Sequence, residues 1–298
     1  MTGISAICNN PNSKTLSHNS SYWYRCWQGF KANRLAVIAL LVLFIIIFCA
    51  IFAPLFSQYT YYEMDLAEAN RPPSFAHWCG TDDLGRDVFV RLWYGARISL
   101  FIGVAAAVID LVIGMLWGGA AALAGGKTDE VMMRIADILY SIPSLLIVIS
   151  LMVVLGPGLH TILIALSILG WITMARVVRG QLLQLKQQGY VMAARGLGAG
   201  FWRILFKHML PNALGPIIVT LTLTIPSAIF MEAFLSYLGL GVQAPIASWG
   251  TMANEGLPAL EYYPWRLFFP AGLICLTILT FNLIGDGLND ANERLSHR

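Results

Sequence analysis

The chain has 298 residues, of which 57% are hydrophobic and 12% are charged. Soluble domains carry about 25% charged residues, so this composition indicates a protein that has membrane lipid as its main solvent. The net charge of +3 is too small to indicate a nucleic-acid partner. The cysteines and histidines lack the spacing of metal ligands or of a disulfide framework, so we expect neither a metal site nor a disulfide scaffold.

The first segment, residues 1–34, mixes aromatic and basic side chains. They are Tyr22, Trp23, Tyr24, Arg25, Trp27, Phe30 and Lys31. This pattern predicts a short amphipathic piece that lies in the headgroup layer. The apolar run that follows, residues 35–56, is too long for a signal peptide and has no small-x-small cleavage site behind it, so we expect a retained membrane anchor.

Six apolar stretches approach or exceed the ~20 residues that a helix needs to cross a bilayer. They are Leu35–Phe56, Ser99–Leu123, Ile138–Leu155, Thr161–Val178, Leu214–Leu235 and Leu267–Ile284. Because backbone polar groups find no water partner in lipid, each stretch is predicted to be a helix. The predicted fold class is therefore all-α, a polytopic membrane protein with six transmembrane helices.

Lys and Arg are distributed unevenly between the connecting segments. The segment after the fourth stretch holds Arg176, Arg179, Lys186, Arg195, Arg203 and Lys207. The segment after the fifth stretch, residues 236–265, holds no Lys or Arg and includes Glu255 and Glu261. The positive-inside rule places the former in the cytoplasm and the latter outside, with both termini cytoplasmic.

This orientation divides the chain into segments. They are the cytoplasmic segment 1–34, the anchor 35–56, an external segment 57–98, a five-helix core 99–287 and a cytoplasmic tail 288–298. The external segment contains three nearby acidic residues that could form a cation site, Asp82, Asp83 and Asp87. Because glycines flank them, we expect a turn held by local hydrogen bonds instead.

The basic cytoplasmic segment 179–212 contains the string GYVMAARGLGAGFWRILFKHMLPN, which begins at Gly189. It predicts two short helices separated by a glycine-rich break, and Pro211 is expected to end the second. Tyr190, Ala194 and Leu197 recur at helical spacing and share one face of the first helix. An amphipathic hairpin of this kind is suited to docking into a groove on a cytoplasmic partner.

This hairpin resembles the EAA loop of ATP-binding-cassette (ABC) importer permeases, which the ATPase subunit grips. The family pattern is Glu-Ala-Ala, three residues, Gly and a later Leu-Pro. The coupling residues that the resemblance implies are Tyr190, Val191, Ala193, Ala194, Leu197, Gly198, Leu210 and Pro211. Met192 stands where the family has Glu, so the resemblance carries no ion pair over to that position.

Further stretches resemble the C-type permease subunit of oligopeptide and dipeptide importers, over most of the chain after residue 30. They are GTDDLGRDVFVRLWYGARISL (80–100), GGKTDEVMMR (125–134), WITMARVVRGQ (171–181), EAFLSYLGLG (232–241), SWGTM (248–252) and FNLIGDGLND (281–290). The resemblance implies a type I, MetI-like permease core in a bacterial inner membrane. It also implies a second, B-type permease, two ATPase subunits that bind ATP and Mg, and an external peptide-binding protein.

The chain itself is expected to carry no catalytic residue and no cofactor. Gly126, Lys127 and Thr128 end like a phosphate-binding loop, but Ala121 stands where the first Gly is required, and a membrane helix precedes them. We therefore expect ATP hydrolysis to take place only in the partner subunits.

Two acidic residues lie within the predicted spans. Asp110 lies near the middle of the second, where a charge costs about 2.5–3.5 kcal/mol, and either a transport role or a hydrogen-bonded packing role is open to it. Glu232 lies at the outer end of the fifth and is expected to contribute to the pore mouth or to cap the helix.

Other functions stay open as alternatives. Similar permeases serve nickel or other small solutes, and nothing in the spans determines peptide length. A proton-coupled secondary transporter would use Asp110 as its carrier. An intramembrane enzyme is disfavoured because no nucleophile–base pair or metal set lies at matching depth.

Overall fold

The structure is a computed structural model that describes residues 22–296, apart from the side chains at 22, 23, 25, 26, 201 and 294–296. In this part of the chain the regular structure is helical and contains no strand. The helices are α1 (Tyr22–Ala32), α2 (Arg34–Phe52), α3 (Val88–Ala124), α4 (Gly126–Tyr140), α5 (Ser144–Leu155), α6 (Leu159–Leu185), α7 (Gly189–Gly196), α8 (Phe201–Arg203), α9 (Leu210–Tyr237), α10 (Trp249–Gly256) and α11 (Trp265–Ser296). Short 3-10 turns lie at Ala53–Phe56, Leu66–Glu68 and Leu257–Ala259, and a π-helical segment at Ile204–Met209.

Five continuous helical stretches in the described residues are long and apolar enough to cross a membrane. They are Arg34–Phe56, Val88–Ala124, Leu159–Lys186, Ile204–Tyr237 and Trp265–Glu293. Each one contains a stretch that hydropathy predicts, so the all-α prediction and five of its spanning helices are confirmed.

The third predicted span, Ile138–Leu155, is not one continuous helix. The chain bends by 76° where α4 gives way to α5. Pro143 lies at this bend; it has no backbone N–H, and its ring disfavours the helical conformation for Ile142. The 12 residues of α5 extend about 18 Å at 1.5 Å per residue, which is too short for a crossing. The two helices therefore form a broken span or a re-entrant pair.

The amphipathic piece predicted before the first span coincides with the helix α1, one side chain of which packs into the bundle. Phe30 is buried in a cluster that includes Ile284 and Ala291 of α11, whereas Tyr24 and Trp27 are exposed. The other aromatic and basic side chains of the predicted pattern include Tyr22, Trp23 and Arg25, which lie outside the described side chains. The helix α1 thus packs against α11 through Phe30.

The centre of the bundle is a close contact between α3 and α6. A Cβ atom added at Gly118 would lie 2.3 Å from the carbonyl oxygen of Ala175, and one added at Gly114 would lie 2.6 Å from Cβ of Met174. No side chain fits at these distances, so glycine allows the two backbones to touch. Small residues at helix contacts are typical of membrane bundles, where packing replaces the hydrophobic effect as the driving force.

At one end of the bundle, residues 57–87 form a compact segment over the helix ends. Asp82 accepts hydrogen bonds through Oδ1 from the backbone N–H groups of Leu84 and Arg86, both at 2.9 Å. Asp87 accepts from the N–H of Val90 at 2.8 Å and so caps α3. The predicted turn with local hydrogen bonds is confirmed.

Ion pairs made by buried arginines connect this segment to α10 and α11. Arg91 donates to Asp82 at 2.6 Å and to Glu255 at 2.8 Å, while Arg266 donates to Asp83 at 3.0 Å. The Arg91 side chain is 3% exposed, so its charge is compensated by these carboxylates and not by water. We call this end of the bundle the 57–87 end and the opposite one, where α7 lies, the α7 end.

Gly118→Leu should lower the thermal unfolding midpoint of the detergent-solubilised protein, because the new side chain forces α3 away from α6. Overpacking of this kind costs about 1–3 kcal/mol. Gly272→Leu is the matched control, since nothing lies within 4 Å of a Cβ added there. Equal midpoints for the two variants would contradict the backbone contact.

Arg91→Met should also destabilise the protein, because it leaves Asp82 buried beside one fewer cation. Breaking a buried pair costs about 3–5 kcal/mol. Arg71→Met removes an ion pair with Glu68 in which the arginine is 57% exposed, so it should change stability by less than about 1 kcal/mol. Chemical denaturation of both variants measures the difference, and a loss no larger for Arg91→Met would refute the role of the buried pairs.

Candidate functional site

The helix α7 ends in a well-defined glycine turn. The N–H of Gly198 donates to the carbonyl of Arg195 and the N–H of Ala199 to the carbonyl of Ala194, at 3.0 and 3.1 Å. Gly198 has φ +78°, a left-handed conformation that favours glycine. This pair of bonds is the Schellman motif, which stops a helix sharply. The predicted break between two helical pieces is confirmed.

Val191 anchors α7 to the rest of the bundle. It is 1% exposed and lies in a cluster with Leu123 of α3, Leu182 of α6 and Leu210 of α9. The predicted coupling residue Leu210 is therefore buried beneath α7, and only its neighbour Pro211 is exposed. The cluster thus groups Val191 with residues from the ends of three long helices, and α7 itself packs against the π-helical segment Ile204–Met209.

The outer surface of this region carries apolar side chains that are largely exposed in the single chain. Leu197 is 89% exposed, Trp202 60% and Met192 59%. Trp202 stacks on Phe206, which is 52% exposed, at a centroid distance of 5.7 Å. We name Met192, Leu197, Trp202 and Phe206 the apolar knob.

The remaining predicted residues lie beside the knob. Tyr190 and Ala193 are exposed and Ala194 is half-buried, in contrast to the buried Val191. Sequence reasoning missed Trp202 and Phe206. Their i, i+4 spacing was the available signal, and Ile204 and Leu205 between them are buried.

The prediction that Pro211 ends the second short helix is wrong. The π-helical segment Ile204–Met209 continues directly into α9, and the N–H of Leu210 donates to the carbonyl of Leu205. Pro211 follows this π-helical segment closely, and the helix continues through it along α9. The second arm of the hairpin is consequently the end of a long spanning helix.

Some of the basic residues near the α7 end form ion pairs within the chain. Arg179 donates to both carboxylate oxygens of Asp129, at 2.5 and 2.6 Å, and Arg176 donates to Asp137 at 2.8 Å. Both acidic partners belong to α4, so these pairs attach α4 to α6. A bidentate arginine–carboxylate pair is the strongest geometry available for such a contact.

A cavity of about 780 Å³ lies between α3, α5, α6 and α9. It is lined by Ala106, Asp110, Tyr140, Ser141, Ile142, Pro143, Ser144, Val148, Ala165, Leu166, Leu169, Gly170, Thr173, Thr220, Leu223, Thr224, Ser227, Ala228 and Met231. Asp110 is 3% exposed, and its Oδ1 has no hydrogen-bond partner among the described residues. The sequence left open a packing role in which Asp110 is hydrogen-bonded. Its Oδ1 makes no such bond within the described residues.

Glu232 lies elsewhere, in a junction of α3, α9 and α10. It is fully buried and accepts hydrogen bonds from Ser99 at 3.0 Å and from Ser236 at 2.8 Å. The backbone N–H of Trp249 donates to Ser99 at 3.2 Å, which brings α10 into the same network. In this structure Glu232 lines no open mouth and caps no helix end; it connects three helices.

Two families match the chain. Residues 110–297 match the binding-protein-dependent transport system inner membrane component, and residues 21–73 match the N-terminal transmembrane domain of oligopeptide transport permease C. Among solved structures, an inward-facing conformation of the MetNI methionine ABC transporter has a TM-score of 0.56 at 20% identity. It covers 66% of this chain and 93% of that chain, which shows a shared fold.

Curated relatives are much closer in sequence. The oligopeptide transport system permease protein OppC of Bacillus subtilis (strain 168) is 62% identical over 287 residues, which are 96% of this chain and 94% of that protein. The dipeptide transport system permease protein DppC of the same organism is 55% identical over 272 residues, 91% and 85% of the two chains. OppC of Escherichia coli (strain K12) is 42% identical over 290 residues, 94% and 96%. With identities of this size along almost its whole length, the chain belongs to the binding-protein-dependent inner membrane permeases, in the C-type branch of the oligopeptide and dipeptide permeases.

Proposed function

We propose that the chain forms half of the translocation pore of an ATP-driven peptide importer in a bacterial inner membrane. The observation that carries the proposal is the construction of α7: one buried anchor, Val191, beneath an exposed apolar knob. A surface of this kind is suited to a groove on another protein. The peptide substrate is inferred from the names of the relatives, which transport oligopeptides and dipeptides.

In the assembly we propose, the chain contacts a second permease, ATPase subunits, a binding protein and membrane lipid. A second, B-type permease supplies the other half of the pore, and two ATPase subunits with ATP and Mg bind beneath the two permeases. A binding protein delivers the peptide at the 57–87 end. The exposed apolar faces of the spanning helices contact lipid or the second permease, as the composition of the chain requires.

Transport in this proposal is alternating access, without chemistry in this subunit. Closure of the ATPase pair moves α7, and the cluster around Val191 transmits this movement to the ends of α3, α6 and α9. A second connection runs through the π-helical segment Ile204–Met209 into α9, without a flexible loop between them. Packed helices move as rigid bodies, so a small displacement at α7 is expected to reorient whole spans.

Leu197→Asp should uncouple the permease from its ATPases. Leu197 is 89% exposed in the single chain, so the change should leave membrane insertion and permease pairing intact. A carboxylate placed in an apolar groove should lower ATPase co-purification at least tenfold and abolish ATP-driven uptake, because an unpaired charge would be buried at the interface.

Leu66→Asp is the matched control for co-purification. Leu66 is also apolar and 72% exposed, but it lies in the segment at the 57–87 end. The ATPases should co-purify with this variant as with the wild type. If Leu197→Asp retained both the ATPases and normal uptake, the coupling surface would have to lie elsewhere.

The orientation we propose puts the α7 end in the cytoplasm and the 57–87 end outside. In intact cells, a membrane-impermeant maleimide should label Phe75→Cys, and it should label Met192→Cys only after permeabilisation. Native Cys79 should give little background, since it is 8% exposed and burial raises its pKa to about 12. Labelling of Met192→Cys in intact cells would reverse the orientation and remove the cytoplasmic docking site.

A further inference from the structure

The cavity between α3, α5, α6 and α9 contains a single charged group among its described lining residues. That group is Asp110, and no Lys, Arg or His lies in the lining. The carboxylate is almost completely removed from solvent, and its Oδ1 has no partner within the described chain. Burying a charge without a partner is strongly unfavourable, so Asp110 must either take up a proton or bind a cation from outside the chain.

Several hydroxyl groups in the same cavity offer acceptors rather than donors. Thr220 donates its hydrogen to the carbonyl of Pro216 at 2.9 Å, and Thr224 donates to the carbonyl of Thr220 at 2.9 Å. Ser227 and Ser141 use their hydrogens in the same way, on carbonyls of their own helices. Because a hydroxyl has one hydrogen and two lone pairs, these groups present oxygen lone pairs to any ligand in the cavity.

Gly170 of α6 provides the space for the carboxylate. A Cβ atom added at this position would lie 2.1 Å from Oδ2 of Asp110, so alanine could not be accommodated without displacing the acid. The carboxylate thus sits against bare backbone on one side and against the cavity on the other. Asp110 and Gly170 are 60 positions apart in the chain, so the fold creates this place for the carboxylate.

We infer that Asp110 binds the N-terminal ammonium group of a peptide during its passage, with hydroxyl oxygens of α9 as additional acceptors. An ammonium group is a compact cation with three donors and no acceptor, which matches a lining of carboxylate and lone pairs. The cavity volume of about 780 Å³ lies within the range of small-molecule sites. The inference rests on the proposed peptide import and assigns a residue and a ligand group to it.

The test compares uptake of two peptides of identical sequence, one with a free N-terminus and one N-acetylated. The complete transporter is reconstituted in proteoliposomes with ATP inside and an uncoupler present. Each peptide is supplied on saturating binding protein, after its binding to that protein has been measured. The wild type should import the free peptide faster than the acetylated one by about tenfold, the factor expected for one charge-assisted hydrogen bond.

Asp110→Asn keeps the shape of the side chain and removes its charge, so the rate ratio of the two peptides should fall to about one. Gly170→Ala keeps the charge but displaces the carboxylate, and the ratio should fall there too. Ser167→Ala is the matched control, because Ser167 is buried on α6, its Oγ has no partner among the described residues, and it does not line the cavity. Its ratio should equal that of the wild type.

The outcomes separate this inference from the proposed function. An unchanged ratio in Asp110→Asn, or a wild-type ratio near one, would overturn the ammonium site while peptide import stands. Loss of the second permease from purified Asp110→Asn complexes would overturn it as well, since Asp110 would then pair with a cation of that subunit. Failure of the wild type to import either peptide with ATP would overturn peptide import itself.

Discussion

The contact of α3 with α6, backbone against backbone at Gly114 and Gly118, is the interaction on which the rest of the bundle depends. Because α3 lies so close to α6, the carboxylate of Asp110 reaches Gly170, and the end of α3 reaches the side chain of Lys186. Lys186 donates to the carbonyl of Ala122 at 3.0 Å and so stabilises the last turn of α3. The cavity, the cluster under α7 and the junction at Glu232 are all built on this one helix.

Hydropathy predicted most of the architecture because lipid imposes a simple requirement: an apolar run of sufficient length must be helical. The bend between α4 and α5 could not be predicted in this way, since hydropathy carries no information on the direction of a helix axis. Proline alone is not a sufficient signal either. Pro216 and Pro226 lie inside α9 and Pro270 inside α11 without ending those helices, whereas Pro143 stands at the bend.

The helix α7 was predictable from the sequence because its residues are neighbours in the chain and follow a family pattern. Which of them would be buried was not visible, because the neighbours that bury Val191 come from distant segments, including Leu123 and Leu182. The same reason applies to Asp110. Its lack of a partner depends on Gly170 and on the α9 hydroxyls, and only the assembled fold brings these groups around it.

The apolar knob also has a consequence for the assembly of the proposed transporter. A chain without a partner on this surface exposes Leu197 and Trp202, and exposed apolar side chains promote self-association. Copies of the chain that lack a partner are therefore the ones expected to associate with each other. Synthesis of all subunits of the proposed importer in matched amounts would keep the apolar knob covered.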